Sequence, residues 1–492
     1  MSAGAIPQYR DEVAETIARY VTNVSGELDL KTQVASKRAL QDSVAVALGA
    51  FGHPATQFGR SFAELMSSPT GPCVIWGTSI RTTPDVAALI NGSLMRGYDY
   101  NDFFVGRRNS GHPSDITTGV IAAAEWKGVS GPKLLEALAV GYEVVAAMFD
   151  CFTTASGGWD YTNLTGIGAC AAISKVIGLD YDQTREALGI AIVPHMATDE
   201  VESCELNKRG DLTMWKRFNG SDAVRNALQA CLLASVGIEG AIRPFVGSNG
   251  FLAKMQNDHS TIPLLKELLD PAKPLSRIAD TYMKLYPVGS VGQSAISAAL
   301  EARGQVADLT QISEVRVYSE EGAYDHLVAI RQDPYNPISR ETADHSMPYI
   351  VGAAVLDGYI RVESFDVDRV MEPSRRAFVR NQVKVIADPT LGAIKDGKLK
   401  RASDGYLSRV EIELKDERIL HGAARPFPGH PKAPFTDAEI EEKLRYNAEQ
   451  FADKQTTNSI ISLLGKAEEL ANVRELTALL TFDCTAKIAV SG

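Results

Sequence analysis

The sequence predicts a mostly α-helical protein with a smaller α+β domain, and three observations carry that reading. Apolar residues recur at spacings of three and four from Glu12 to about Lys273. Past Pro274 they alternate with polar residues at or near period two. From Asn458 to Leu480 the helical spacing returns. At roughly 100–200 residues per domain, a chain of 492 residues holds two or three domains, and a hydrophobic content of 45 % supplies cores of useful size.

In the first stretch, Asp42, Val44, Ala45 and Leu48 open one helical run. Ser130, Leu134, Leu135, Leu138, Ala139 and Tyr142 form another, and Ala223, Ala227, Leu228, Cys231 and Leu232 a third. Several runs are apolar on most faces, the pattern of helices buried in a multi-helix cluster, and loops containing Gly and Pro separate them. Further on, Val315 and Val317, then Val383, Val385 and Ile386, then Val410, Ile412 and Leu414 predict half-buried antiparallel strands. Helices are expected among them at 291–303 and 346–358. The expected division is a helical domain over 1–273, an α+β domain over 274–450, and C-terminal helices over 451–492 that pack back on the first domain. The sequence has no repeat of 20–50 residues and no low-complexity tract.

With 50 basic and 61 acidic residues the net charge is −11, which argues against a nucleic-acid or anionic-membrane partner, since such partners are held by clustered Lys and Arg. An anionic ligand would need a local basic pocket. The first residues carry Arg10 and Asp11 and lack a signal-peptide apolar stretch, and no run of about 18 apolar residues occurs, so the expected location is the cytoplasm. The six cysteines (Cys73, Cys151, Cys170, Cys204, Cys231 and Cys484) form no CxxC or CxC pair, so neither a zinc site nor an iron–sulfur cluster has its usual spacing. Reduced thiols are expected.

Gly166, Gly168 and Ala171 spell GxGxxA, but no strand precedes them, so close helix packing is the better reading than a dinucleotide site. Phosphate-loop, zincin and nucleophile-elbow motifs are absent. Three less standard constellations remain. In YDYNDFFVGRRNSGHPSD, residues 98–115, Asp99, Asn101, Asp102, Arg107, Arg108, His112, Ser114 and Asp115 crowd one glycine-broken segment. It reads either as a solvated loop whose Ser114 or Asp115 caps the next helix, or as a catalytic histidine with carboxylates. Lys216 and Arg217 stand just before a small-residue helix, as a surface pair or as an anion site at its start. Lys284 precedes a Pro and Gly turn that leads into an alanine helix beginning near Gln293.

Taken together, GHPSD at 111–115 behind the acidic DxxD, the lysine before a small-residue helix, the KxYP turn, RETADHSMPY at 340–349 and GHPKAPFT at 429–436 resemble the MmgE/PrpD family from about residue 12 to 485. That family includes 2-methylcitrate dehydratases, cis-aconitate decarboxylases and iminodisuccinate epimerases, and the RETADHS and GHPSD forms look most like the dehydratase branch. The resemblance implies a large all-helical domain completed by the C-terminal helices, an inserted α+β lid domain, and an active site between them. It further implies a homodimer, a small anionic carboxylate as substrate, and no metal or other cofactor. Carried across residue by residue, the family aspartate falls on Asp99, its histidine on His112 and its two lysines on Lys216 and Lys284. Three positions depart. A family threonine falls on Phe103, a histidine of the helical domain on Tyr161, and a histidine or acid after the KxYP turn on Gly289.

Dehydration, decarboxylation and epimerisation of citrate-like acids all build negative charge beside an existing carboxylate, so they need cations and a proton carrier. The residues expected to act are Asp99, His112, Lys216 and Tyr161, the last a phenol in place of a histidine. Expected substrate contacts are Lys284, Arg107, Arg108, Ser114, Phe103 and Gln293. The reading is a cofactor-independent dehydratase for a 2-methylcitrate-like acid. Its alternatives are a decarboxylase or epimerase of a related acid, or a family member that binds without catalysis.

Overall fold

The helix Glu12–Asn23 illustrates how the first half folds: Asp11 caps it by accepting from the amides of Val13 and Ala14, and Val13, Ile17, Tyr20 and Val21 form its buried face. A computed structural model describes residues 10–201, 207–208, 212–391, 394–395, 398–399 and 406–484, and these divide between two apolar cores. The helices Leu30–Gly49, Pro84–Met95, Thr117–Lys127, Gly131–Cys151, Thr162–Ile177, Tyr181–Ile192 and Asn219–Ser235 build the first core. Gly131–Cys151 and Thr162–Ile177 are buried along most of their length, as runs apolar on most faces require. Where they cross, a Cβ on Gly168 would lie 2.2 Å from Val145 Cγ2 and 3.1 Å from the Gly141 carbonyl. The GxGxxA sequence is therefore a packing seam inside one helix, with no strand-to-helix phosphate turn.

The second core runs from Tyr286 to Leu414. The helices Gln293–Arg303 and Met347–Asp357 lie close to the helical stretches expected there, and they cover a four-stranded sheet in the order Ile419–Gly422, Ser408–Leu414, Ile312–Ser319, Val383–Ala387. Val315, Val317, Val410 and Ile412 point into the core, while on the other face Arg316 pairs with Glu411 at 3.2 Å and Glu413 at 2.6 Å. The expectation of antiparallel strands holds for the first two pairings, but Val383–Ala387 runs parallel to Ile312–Ser319, with Val315 opposite Val383. Alternation encodes which face is buried and not the strand's direction. Between Ser319 and Val383 the chain passes through the helices Arg340–Asp344, Met347–Asp357 and Pro373–Gln382, a crossover of the kind a parallel pair requires.

The chain then returns to the first core. Phe435, Ile440, Leu444 and Ala448 are already part of it, followed by Ile460, Leu464, Val473, Leu476 and Leu480, so the return begins at the helix Asp437–Ala448, ahead of residue 451. Of the scattered cysteines, Cys204 lies outside the described residues; the other five are free and buried. Among the described residues no helix is long and apolar enough to cross a membrane.

Candidate active site

The segment 98–115 is not a solvated loop. Asp99, Asn101, Asp102, His112, Ser114 and Asp115 are all buried, and they meet Lys284 where the two cores face each other. The helix Pro84–Met95 ends at Arg96, and Asp99 then takes a left-handed backbone (φ 49°), a conformation that Asp tolerates better than most residues. That bend turns both the carboxylate and the carbonyl of Asp99 toward Lys284, whose Nζ is 3.2 Å from Asp99 Oδ1 and donates to the carbonyl at 2.7 Å. Arg96 Nη1 is 3.3 Å from the same carboxylate oxygen. Burial opposes ionisation, yet Lys284, His345, Arg96 and His112 together hold the Asp99 carboxyl well below its ordinary value. Burial in turn lowers Lys284 to about 8.

His112 precedes the 3-10 turn Pro113–Ile116. Its Nδ1 lies 2.5 Å from the Asp102 carbonyl, which can only accept, so Nδ1 carries the proton and Nε2 presents a lone pair 3.9 Å from Asp99 Oδ1. Burial, reinforced by Arg96 and Lys284, keeps this imidazole neutral by lowering its pKa well below the ordinary value. Tyr161 packs edge-on against His112, with ring centroids 5.7 Å apart, and donates its hydroxyl to Asp115 Oδ2 at 2.9 Å. Burial raises Asp115 to about 6. A Cβ on Gly220, in the first turn of the helix Asn219–Ser235, would lie 2.5 Å from Asp115 Oδ2, so the helix start read as an anion site faces a carboxylate of the chain itself.

The other expected residues fall into distinct places. Lys216 is buried on the 3-10 turn Met214–Arg217, and its neighbour Arg217 reaches Glu341 of the second core at 3.0 Å. Phe103 sits between His112, Tyr282 and Tyr406, at ring distances of 6.1, 5.9 and 6.2 Å. Ser114 and Gln293 serve the backbone: the Ser114 amide donates to Asp102 Oδ1 and its hydroxyl accepts from Asn101, while Gln293 accepts from the amides of Leu285 and Tyr286 and donates to the Tyr286 carbonyl. Gln293 thereby fixes the turn that carries Lys284. Arg107 and Arg108 do not join the cluster; they are exposed at the tip of the hairpin formed by Phe104–Val105 and Ser110–Gly111, where Arg107 approaches Asp150 at 4.0 Å. Proximity in sequence to His112 suggested a contact that the hairpin geometry directs outward.

Sequence reasoning passed over Arg96, Asn101 as a hub, and the Asp344–His345 pair. Asn101 accepts from Arg96 at 3.1 Å and donates to Ser114 and Asp115. His345, at the end of the helix Arg340–Asp344, places Nδ1 2.5 Å from Asp344 Oδ1 and Nε2 3.6 Å from Asp99 Oδ2. A Cβ on Gly289 would lie 3.4 Å from His345 Cδ2, so the altered position 289 borders this imidazole. The signal was the RETADHSMPY run, whose side chains gain meaning only once the fold sets them against Asp99.

Charge and proton chemistry therefore converge on one carboxylate that is flanked by two imidazoles and by buried cations. The MmgE/PrpD N-terminal domain model matches residues 15–262 and the MmgE/PrpD C-terminal domain model residues 286–466. The chain is 26 % identical to mouse cis-aconitate decarboxylase, covering 90 % of this chain and 88 % of that protein. It is 25 % identical to the human cis-aconitate decarboxylase, over 87 % and 85 % respectively. To the 2-methylcitrate dehydratase of Cupriavidus necator it is 23 % identical, over 93 % and 94 %. The two family models reach into both cores and span the segments that carry Asp99, His112 and His345, and the chain belongs to the MmgE/PrpD family.

Proposed function

We propose that the protein is a lyase that removes water from a small hydroxylated di- or tricarboxylate of the 2-methylcitrate type. The observation that supports this reading is a bare imidazole nitrogen, His112 Nε2, in the same buried cluster as Arg96 and Lys284. Removing a proton from carbon beside a carboxylate builds charge that only nearby cations can hold. Preorganised donors such as Lys284, Arg96 and Lys216 can each contribute on the order of 3 kcal/mol to that task. Such a cluster also accounts for anion binding by a chain of net charge −11. Asp99 keeps the cations in register and stays ionised beside them. His112 accepts the carbon-bound proton, and a second group must protonate the departing hydroxyl; Tyr161 is one candidate. The working unit is a cytoplasmic homodimer that requires no added cofactor.

Likeness to cis-aconitate decarboxylases and the apolar wall of Phe103, Tyr282 and Tyr406 favour a second reading, loss of carbon dioxide from a related acid. Purified protein incubated with 2-methylcitrate, citrate and cis-aconitate separates the two. Dehydration produces the ultraviolet absorbance of a conjugated unsaturated acid with no carbon dioxide. Release of carbon dioxide with no water lost from the hydroxy acids would replace dehydration by decarboxylation, and a change of optical rotation alone would indicate epimerisation.

A further inference from the structure

We propose that His345, held by Asp344, is the acid that protonates the leaving oxygen, opposite His112 as base across the Asp99 carboxylate. The identity of the leaving group rests on the dehydration reading above; the protonation states of the two imidazoles are properties of the free protein and do not.

The assignment follows from what each ring nitrogen faces. His112 Nδ1 meets a carbonyl, so its single proton sits on Nδ1 and Nε2 is left bare toward Asp99 Oδ1. His345 Nδ1 meets a carboxylate oxygen at 2.5 Å, so a proton lies in that contact whichever partner holds it. If Asp344 holds it, the neutral imidazole keeps its own proton on Nε2. If His345 holds it, the ring is either the neutral Nδ1–H tautomer with Nε2 bare or the imidazolium protonated at both nitrogens. The Asp99 carboxylate, an anion whose Oδ2 lies 3.6 Å from Nε2, disfavours a bare nitrogen there, so Nε2 presents an N–H toward it. Asp344 Oδ2 accepts no hydrogen bond among the described residues and the side chain is fully buried, and burial raises this carboxyl to about 8, so the pair retains its proton at neutral pH. His345 faces Asp344, Asp99 and, with ring centroids 6.0 Å apart, His326, and a Cβ at Gly289 would lie 3.4 Å from its Cδ2. The competing acid, Tyr161, already gives its hydroxyl proton to Asp115.

In the step itself, His112 Nε2 takes the proton from carbon as that C–H bond breaks, and its electron pair forms the C=C bond. The C–O bond breaks with its pair on oxygen, which takes the Nε2 proton of His345 and leaves as water. His112 ends with one proton more and His345 with one fewer, and a single proton transfer resets the pair. Because His112 belongs to the first core and His345 to the second, acid and base are assembled only when the cores face each other.

The test pairs a hydroxy substrate with its analogue carrying chlorine in place of the hydroxyl, since chloride leaves without a proton. His345→Gln should lower kcat on the hydroxy acid by about 100-fold or more with KM within a few-fold, and leave elimination of chloride near the wild-type rate. His112→Ala should lose both reactions. Asp344→Asn should weaken the hydroxy reaction alone. If His345→Gln spares the hydroxy acid, or slows both substrates alike, the proposal is overturned. Nitrogen-15 spectra of histidine-labelled wild type supply a readout independent of turnover: His345 must carry a proton on Nε2 and His112 must be the neutral Nδ1–H form. A bare Nε2 on His345 overturns the proposal. If the wild type cleaves no C–O bond in any substrate, the dehydration reading fails and the spectra alone decide the protonation assignment.

Discussion

Replacing Lys443 with Met should destabilise the helical core by about 3–5 kcal/mol, and adding Asp42→Asn should restore about 1–3 kcal/mol of the loss. Lys443, on the returning helix Asp437–Ala448, lies 2.6 Å from Asp42 Oδ1 on the helix Leu30–Gly49, and both side chains are 2 % exposed. The ammonium also donates to the carbonyls of Lys284 at 2.7 Å and Tyr100 at 3.3 Å, so it braces the turn that carries Lys284 from behind. Burial pushes Asp42 up and Lys443 down, and the pair survives because each partner offsets the other's desolvation. Asp42 Oδ2 has no hydrogen-bond partner among the described residues, so loss of Lys443 leaves neither oxygen with a donor in a site closed to water. Met has a similar volume, which keeps a cavity term small. In the double variant the charge is gone, and the remaining cost is the two carbonyl bonds, about 1 kcal/mol each. The double variant should therefore recover about 1–3 kcal/mol of the Lys443→Met loss instead of adding the Asp42→Asn cost to it. All four tryptophans, Trp76, Trp126, Trp159 and Trp215, precede residue 216, so tryptophan fluorescence during urea unfolding reports the first core. Additive losses, or a Lys443→Met cost below about 1 kcal/mol, would refute the reasoning.

Four further outcomes are expected. Lys216→Ala and His112→Ala should keep the circular dichroism of the wild type and lower turnover about 100-fold or more; turnover within a few-fold would remove that residue from the chemistry. Asp102 is pushed up to about 7 by burial, so the wild type loses stability as pH rises from about 4 toward 7, and Asp102→Asn, which can keep the Ser114 amide and Tyr142 hydroxyl contacts, should gain relative stability over that window; melting curves at pH 5 and 8 that shift in parallel would contradict this. Glu341, held low between His53 and Arg217 despite burial, contributes stability above the ordinary carboxylate range that is lost as pH falls, so the gap between wild type and Glu341→Gln should be widest at neutral pH and shrink in acid. Phe103→Thr should raise kcat/KM for 2-methylcitrate relative to analogues with bulkier apolar substituents; a wild-type value above about 10⁴ M⁻¹s⁻¹ that the variant leaves unchanged would show that the aromatic wall does not choose the substrate.

What could be read from the sequence follows from what each pattern encodes. Runs such as 134–142 are apolar on nearly every face, and a helix with that pattern can only be buried, so the helical core was legible. The strand at 383–387 was legible as a strand but not in direction. Polar crowding at 98–115 pointed to Asp99 and His112, yet the same crowding drew in Arg107 and Arg108. The segment VGRRNS contains its own hairpin, with Val105 paired to Ser110, and that pairing turns the two arginines outward. Arg96 looks from sequence like an ordinary cation in the last turn of a helix. Its role depends on Asn101, Asp99 and Asp115, which only the folded chain gathers around it. His345 stands more than 200 residues from Asp99 in the chain, and no local spacing could connect the two.

The four aspartates of the cluster show how one protein sets acid and base roles with a single residue type. Asp99 meets Lys284, Arg96 and two imidazoles, and it remains an anion although fully buried. Asp102 and Asp344 are just as buried and face amides, a phenol or an imidazole with no cation bonded to the carboxylate, so burial dominates and both rise to about 7 and 8 respectively. Asp115, with Arg96 3.8 Å away, falls between them at about 6. Cations set Asp99 apart; among the other three, hydrogen bonds from Ser114 and Tyr142 lower Asp102, the like charges of Glu341 and Asp99 raise Asp344, and exposure plays no part because all four are closed to solvent. A change that moves one cation should therefore redistribute protons across the whole cluster. Arg96 touches both Asp99 and Asp115, which makes it the residue whose loss would blur the distinction between the anion that holds the cations and the carboxyls that hold protons.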